Sequence, residues 1–564
     1  MNNNFLSISK SDLKQRGWKE LDIILITGDA YVDHPSYGTA VIGRVLEDAG
    51  FKVGIIAQPD WKSSDDFLRL GKPKLFFGIT AGNLDSILSN YTINRLPRRK
   101  DDYSPGGKPG LRPNRATIVY ANKVKEIFPD TPIVLGGIEA SLRRLAHYDY
   151  WSDKVRRSIL LDAKADILVY GMGEKQIVEI ATRINSGDGI KDIPGTVVAR
   201  SNLEGLKNYI LIPSFEEVSA NKDKFNAAFK AFYFECDPFR GRTIVQPHGN
   251  RFVVQFPPPL PLNTKELDHI YLLSYVKKWH PVYDKEGGVP GFETIRFSII
   301  SHRGCCGQCS FCSLYAHQGR IIQSRSKESI IQEIKIMTNT GDFKGTITDI
   351  GGPTANLYHA ECEFWKRKGA CFDKQCLLPT RCPNLKLGYE QTLSLWKDVM
   401  KIPVVKHLFI GSGLRYDLLN DKSGEQYLRT LCEHHLSGQL KVAPEHTVDN
   451  VLRLMNKPCF KNYEKFVERF KDINKELNKK QYLVNYFITS HPGSDLKASL
   501  EMARYLANKH IHPEQIQDFI PLPMTISGCM YYTGKHPFTG EEIYVPREIK
   551  ERKMQRAIIQ EKMV

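Results

Sequence analysis

The strongest constraint on the fold is an alternation. Between residues 293 and 520, strand-length apolar runs recur six times: 293–300, 345–350, 407–411, 438–443, 482–489 and 515–520. Helical stretches at 327–338, 387–400, 423–435, 460–477 and 495–508 separate them. Six consecutive β/α units predict a partial (β/α)6 barrel of the TIM type, whose reactive groups stand just after the strands. A similar alternation occupies the first part, with strands expected at 21–27, 52–57, 73–79, 131–135 and 166–170 and helices at 37–50 and 116–128. It predicts a doubly wound parallel sheet. The fold class is therefore α/β, with a domain over 1–200, a connector over 201–290, the barrel over 291–530 and a C-terminal tail over 531–564. "QFPPPLPL" at 255–262 favours extended backbone in the connector. The segment 94–115, with seven Lys/Arg, four Pro and three Gly, reads as a long loop, solvated or gripping an anion.

The chemistry is expected where the first barrel strand ends. "HRGCCGQCSFCSL" carries Cys305-x-x-x-Cys309-x-x-Cys312, with Cys306 as an extra thiol. Short loops of this kind hold iron–sulfur clusters through thiolates. A structural zinc site would want a fourth close ligand, and His317 is the nearest histidine on the C-terminal side. A ferredoxin run would place a cysteine at 316, where Ala316 stands. A thioredoxin-like pair is formally present as Cys306–Cys309 but does not fit the third cysteine. Three cysteines on a four-iron cluster leave one iron open.

Later strand ends add polar groups in order: Gly351 and Gly352, then Ser412 and Arg415, then Glu445, then Ser490 and His491, then "PLPM". A second cysteine group, Cys362, Cys371, Cys376 and Cys382, lies in the loop after the second strand and is expected to bind a second iron–sulfur cluster or zinc, against the alternative of idle thiols. Cys236, Cys432, Cys459 and Cys529 read as ordinary thiols.

The CxxxCxxC loop after a first barrel strand, with Phe311 before its third cysteine, resembles the radical S-adenosylmethionine superfamily. From about residue 18 onward, "DAYVDHPSYGTAVIGRVLEDAGFKVGIIAQPDW", "VLGGIEASLRRLAHYDYW", "ADILVYGMGEK", "DIGGPTANLY", "LKVAPEH" and "MYYTGKHP" are similar to its YgiQ-type branch. The resemblance implies a 4Fe–4S cluster on Cys305, Cys309 and Cys312. It also implies S-adenosylmethionine placed by Phe311, Gly351, Gly352, Ser412, Arg415 and Glu445, and an electron donor such as a flavodoxin or ferredoxin. The expected reaction is reductive cleavage to a 5′-deoxyadenosyl radical that modifies an unknown substrate.

The N-terminal domain is similar to cobalamin-binding domains. The D-x-H-x-x-G signature fails, however, because Asp33 and His34 adjoin and Gly38 lies four beyond His34. Cobalamin stays an alternative without its histidine, and methyl transfer would follow from it. The competing reading is a non-catalytic iron–sulfur protein that contacts nucleic acid or senses redox state. A net charge of +16 favours anionic partners, nucleic acid among them. No run approaches the ~20 apolar residues of a membrane span. The polar N-terminus lacks a secretory h-region, so a cytoplasmic protein is expected. The basic C-terminal segment is expected as a packed or solvated helix.

Overall fold

A computed structural model describes residues 4–560. The chain divides into two units, Met1–Leu260 with His269–Arg296, and Pro261–Asp268 with Phe297–Val564.

The first unit is built on one nine-stranded sheet. Its strands are β1 (Ile23–Thr27), β2 (Val53–Ala57), β3 (Phe76–Thr80), β4 (Ile133–Leu135), β5 (Ile167–Val169), β6 (Thr196–Arg200), β7 (Tyr209–Leu211), β8 (Thr243–His248) and β9 (Arg251–Gln255). Five of them run parallel in the order β2-β1-β3-β4-β5, the doubly wound arrangement expected. β1 is buried at every position, as a parallel strand covered on both faces must be. α1 (Gly38–Asp48) and α2 (Ala116–Ile127) fall where the apolar periodicity puts them, and α3 (Glu174–Ser186) follows β5.

The stretch expected as a connector differs. β7, β8 and β9 extend the same sheet, β9 pairing antiparallel with β6. The alternation "TIVQPH" and "RFVVQ", joined by a two-residue turn at Gly249, is a hairpin, and its register was hidden behind the proline-rich run that follows.

The basic loop 94–115 grips the chain's own carboxylates. Arg112 is 1% exposed, and its Nη2 lies 2.9 Å from Asp29 and 3.1 Å from Asp101. Its Nη1 donates to Ala81 O at 3.1 Å and Ser89 Oγ at 3.2 Å. Burial pushes Asp29 up to about 6 even so, against the pull of Arg112.

The second unit carries the six barrel strands in sequence order. β10 (Ser298–Ile300) pairs parallel with β14 (Asp349–Gly351), and β13 (Thr346–Ile347) with β15 (His407–Leu408). A parallel bridge, Leu414 to Val442, links the third strand to β16 (Gln439–Glu445), which pairs with β17 (Tyr482–Thr489) and then β18 (Gln515–Asp518). β11 (His302–Arg303) and β12 (Gln323–Ser324) form a small antiparallel pair beside β10. α4 (Lys327–Thr338), α5 (Tyr389–Val399), α6 (Lys422–Thr430), α7 (Phe460–Glu476) and α8 (Leu496–Asn508) occupy the predicted intervals.

The C-terminal segment is packed. In α9 (Ile549–Ile559), Ile559 joins a core of Phe487, Met502, Leu506 and Ile516. Gln555 accepts from Ser490 N at 3.0 Å and donates to Ser494 O at 2.8 Å. Residues 561–564 of the expected tail lie outside the described residues.

Replacing Arg112 with Met strands two buried carboxylates without their counter-charge. Arg112→Met should cost about 3–5 kcal/mol in urea unfolding of the full chain. Adding Asp29→Asn and Asp101→Asn should recover part of that loss.

Candidate functional site

The cysteine loop is anchored at both ends. Ser301 N–H donates to Gly351 O at 2.7 Å, and the chain then enters β11. Gly304 takes φ +84, and a Cβ there would stand 2.2 Å from Ile321 O, so only glycine makes this turn. Ser310 N–H donates to Met455 O at 2.9 Å, Asn456 Nδ2 to Gln308 O at 3.2 Å, and Ser527 N–H to Ser310 O at 2.9 Å. Residues beyond β16 and β18 thereby hold the loop that begins after β10.

The three sulfurs are met by donors. Gly307 N–H approaches Cys305 Sγ at 3.4 Å, Leu314 N–H approaches Cys312 Sγ at 3.5 Å, and Arg415 Nη1 approaches Cys309 Sγ at 3.6 Å. Arg415 is itself held in a fork by Asp417, with Nε and Nη2 at 3.0 and 2.7 Å from the two oxygens. Asn356 pins its backbone, accepting from Arg415 N and donating to Arg415 O, both at 2.9 Å. A Cβ on Gly307 would sit 2.8 Å from Arg415 Nη1, so this glycine admits the guanidinium.

As thiols, Cys305 and Cys312 are pushed up by burial and then by the charge of Cys309, Cys312 to about 12. Thiolates in such a place need a bound cation to carry their charge. Cys306 is 1% exposed and packs in a buried cluster with Cys362, Trp365 and Cys376. Among the described residues, no three His, Cys, Asp or Glu side chains converge on a single metal-ion position. An all-sulfur donor set with N–H groups aimed at the sulfurs fits an iron–sulfur cluster, which spans its ligands instead of drawing them to one point.

The remaining sequence candidates fall into two groups. Ser412, Arg415 and Glu445 are polar groups at successive strand ends. Ser412 Oγ donates to Asp349 Oδ2, while Gly411 N–H and Ser412 N–H donate to Asp349 Oδ1 at 2.9 and 3.0 Å. Glu445 ends β16 with φ +70 and lies 4.0 Å from Lys457 Nζ. Burial pushes its carboxyl up, against Lys457 and Arg415, and its charge reaches Cys312. The glycines act on protein neighbours. A Cβ on Gly351 would meet Ser412 Oγ at 2.5 Å, and one on Gly352 would meet the His302 ring at 2.5 Å. Phe311 lies edge-on to His491, centroids 6.3 Å apart, and His491 Nε2 shares a 2.6 Å hydrogen bond with Ser527 Oγ. Ser490, like Glu445, has positive φ, at +60.

Sequence reasoning missed Asp349, Asn356, Asp417 and Lys457. Asp349 had a signal, a carboxylate two residues before a strand-end glycine pair. Lys457 had none, since it comes from the loop after α-helical residues 449–454.

In the first unit, His34 is 2% exposed, accepts from Ser36 N at 3.1 Å and packs edge-on to Phe292. Asp33 beside it is ion-paired with Arg44 and accepts from Val276 N at 3.1 Å. The segment 136–141, which follows β4, is likewise engaged, with Glu139 accepting from Ser86 N at 2.8 Å and Thr117 N at 3.1 Å. His34 does not stand as an outward metal ligand.

The comparisons with known proteins decide the family. Residues 5–298 match a family profile described as "Radical SAM N-terminal". The chain belongs to the radical SAM family. Residues 514–562 match a second profile, a domain of unknown function, DUF3362. A UPF0313 protein of Clostridium botulinum strain 657 is 54% identical over 562 residues, covering 99% of this chain and 88% of that protein. One from Methanosarcina mazei is 52% identical over 590 residues, covering 98% and 94%. Among solved structures, the radical S-adenosylmethionine methyltransferase TsrM from Kitasatospora setae is similar with a TM-score of 0.49, at 16% identity, over 89% of this chain and 75% of that one. The cobalamin-dependent S-adenosylmethionine radical enzyme OxsB also gives 0.49, at 9% identity, over 96% and 56%. No described helix is long and apolar enough to cross a membrane.

Burial lowers His302 and His491 from 6.5 to about 3, and His446 to about 4. Their folded values lie below the unfolded value, so the unfolded chain binds more protons. Stability is full above about pH 6.5 and falls as pH drops toward 3–4, by about 1.4 kcal/mol per pH unit for each group. A pH series of urea midpoints should show this acid limb, and His491→Gln should make it shallower.

Proposed function

We propose that Cys305, Cys309 and Cys312 hold a 4Fe–4S cluster and that the barrel mouth binds S-adenosylmethionine beside it. Held by these three cysteines, such a cluster would supply the electron for reductive cleavage of S-adenosylmethionine to methionine and a 5′-deoxyadenosyl radical. The observation that carries this reading is the three-cysteine loop at the end of the first barrel strand, with Arg415 directed at Cys309. Membership in the radical SAM family supports it.

The chain's residues do the holding. Gly307 N–H, Leu314 N–H and Arg415 stabilise negative charge on the sulfurs and so tune the cluster's potential. Asp417 and Asn356 keep Arg415 in place, which makes it a positioning residue for Cys309. Ser412, fixed by Asp349, and Glu445, beside Lys457, offer polar groups to the cofactor's ribose or amino acid portion. Gly351 and Gly352 let Ser412 and His302 close in beneath it. Phe311 and the buried His491 wall the loop against water. The electron comes from a reduced donor of the ferredoxin or flavodoxin class.

The test is anaerobic. The reconstituted full chain with dithionite and S-adenosylmethionine should form 5′-deoxyadenosine, and Cys309→Ala should reduce it at least about 100-fold. An intact, reduced cluster whose electron paramagnetic resonance spectrum is unmoved by S-adenosylmethionine would overturn the reading.

A further inference from the structure

The loop between β14 and α5 holds four cysteines that the site above does not use. It is closed at its base by paired hydrogen bonds between Glu361 and Lys386, each 2.9 Å. Within it, Cys382 N–H donates to Cys376 O at 2.9 Å and Leu385 N–H donates to Cys382 O at 3.0 Å, folding the chain back on itself. Cys362, Cys371, Cys376 and Cys382 thereby line one pocket that is partly open to solvent. None of the four is in a disulfide.

The donor set and its surroundings select a ligand class. Four thiols around one space, with no carboxylate or imidazole among the lining residues, suit a soft, thiophilic metal centre. A lone zinc ion requires its sulfurs about 2.3 Å from one point. No three such side chains converge in that way among the described residues, while the thiols ring a cavity. Thiols that face one space without converging on a point fit an iron–sulfur cluster, whose iron atoms would each take a separate thiolate. Trp365 and Leu385 supply an apolar wall, and Lys374 in the lining and Arg320 near Cys376 offset anionic charge.

We propose that Cys362, Cys371, Cys376 and Cys382 bind a second iron–sulfur cluster, distinct from the one at the three-cysteine loop. With four protein thiolates it has no cysteine-free iron, and its chemistry is one-electron transfer. It accepts one electron from a reduced donor protein of low potential and passes one on, with no atom moved. The route toward the first site is short. Cys306 follows Cys305 in the chain, and both pack in one buried cluster with Cys362, Cys376 and Cys382, so ligands of the two sets share that cluster. The binding site shares no ligand with the radical SAM reading. The relay role rests on that reading.

The experiment counts iron and acid-labile sulfide in the anaerobically reconstituted full chain, with Mössbauer spectra of the wild type. The expected result is about eight iron per chain, or about six if the second cluster has two irons. A Cys371→Ser/Cys382→Ser variant should fall to about four and keep a spectrum that responds to S-adenosylmethionine. A Cys305→Ala/Cys309→Ala/Cys312→Ala variant should lose that response and retain the remainder. Wild type with four irons and the triple variant with none would overturn the proposal, as would one tightly held zinc per chain that iron and sulfide do not replace. If iron stays near eight but no 5′-deoxyadenosine forms, the radical reading fails while the second cluster stands. The wild-type Mössbauer spectrum gives the cluster count without depending on whether a variant folds.

Discussion

The second unit depends on how it manages negative charge on buried sulfur. A thiol is an inexpensive core group, but a thiolate in the same place is not. Cys305 and Cys312 are pushed upward as thiols because burial and a neighbouring sulfur both oppose ionisation. The fold answers with directed positive and partially positive groups: two backbone N–H groups and one guanidinium. That guanidinium costs its own desolvation, and Asp417 offsets it through two hydrogen bonds. Removing one member would leave another charge buried alone, so the loop, the third strand end and its 3₁₀ turn are tied together electrostatically.

The barrel scaffold serves the same end. Its parallel pairing is interrupted, with short two-residue and three-residue ladders between the first three strands and a single bridge from the third to the fourth. Ser412 and Arg415 follow the last ladder residue of the third strand, Leu408, and lie outside that ladder. Backbone groups freed from the ladder are taken up by side chains, as when Asp349 accepts from Gly411 and Ser412. Longer pairing returns in β16, β17 and β18, and there α9 packs over β17 and β18. Two residues at those strand ends, Glu445 and Ser490, carry positive φ. Such conformations persist where surrounding contacts hold them, which here include Gln555 on Ser490 N.

In the first unit, ion pairs do the corresponding work at loops. Arg112 with Asp29 and Asp101, and Arg44 with Asp33, close the strand-end segments that sequence motifs flagged as ligand loops. A basic loop that looks suited to an external anion has satisfied itself internally. His34 is buried beside Asp33, accepting from Ser36 N and packed edge-on against Phe292.

The sequence by itself determined the two β/α alternations, five of the first sheet's strands, the barrel helices and the three-cysteine loop. These are local signals: apolar period, helix stops and cysteine spacing are properties of neighbouring residues. It did not disclose that residues 209–255 continue the first sheet, because strand pairing is a contact between distant segments and the proline-rich run after it reads as a linker. It placed Arg415 at a strand end but could not say that Asp417 and Asn356 aim it at Cys309, nor that Lys457 comes to Glu445. It noted Cys362, Cys371, Cys376 and Cys382, yet only the fold closes their loop at Glu361 and Lys386 and sets Cys306 in one buried cluster with Cys376. Tertiary structure decided these because hydrogen bonds and Coulomb interactions act over a few ångströms of space, whatever the separation along the chain.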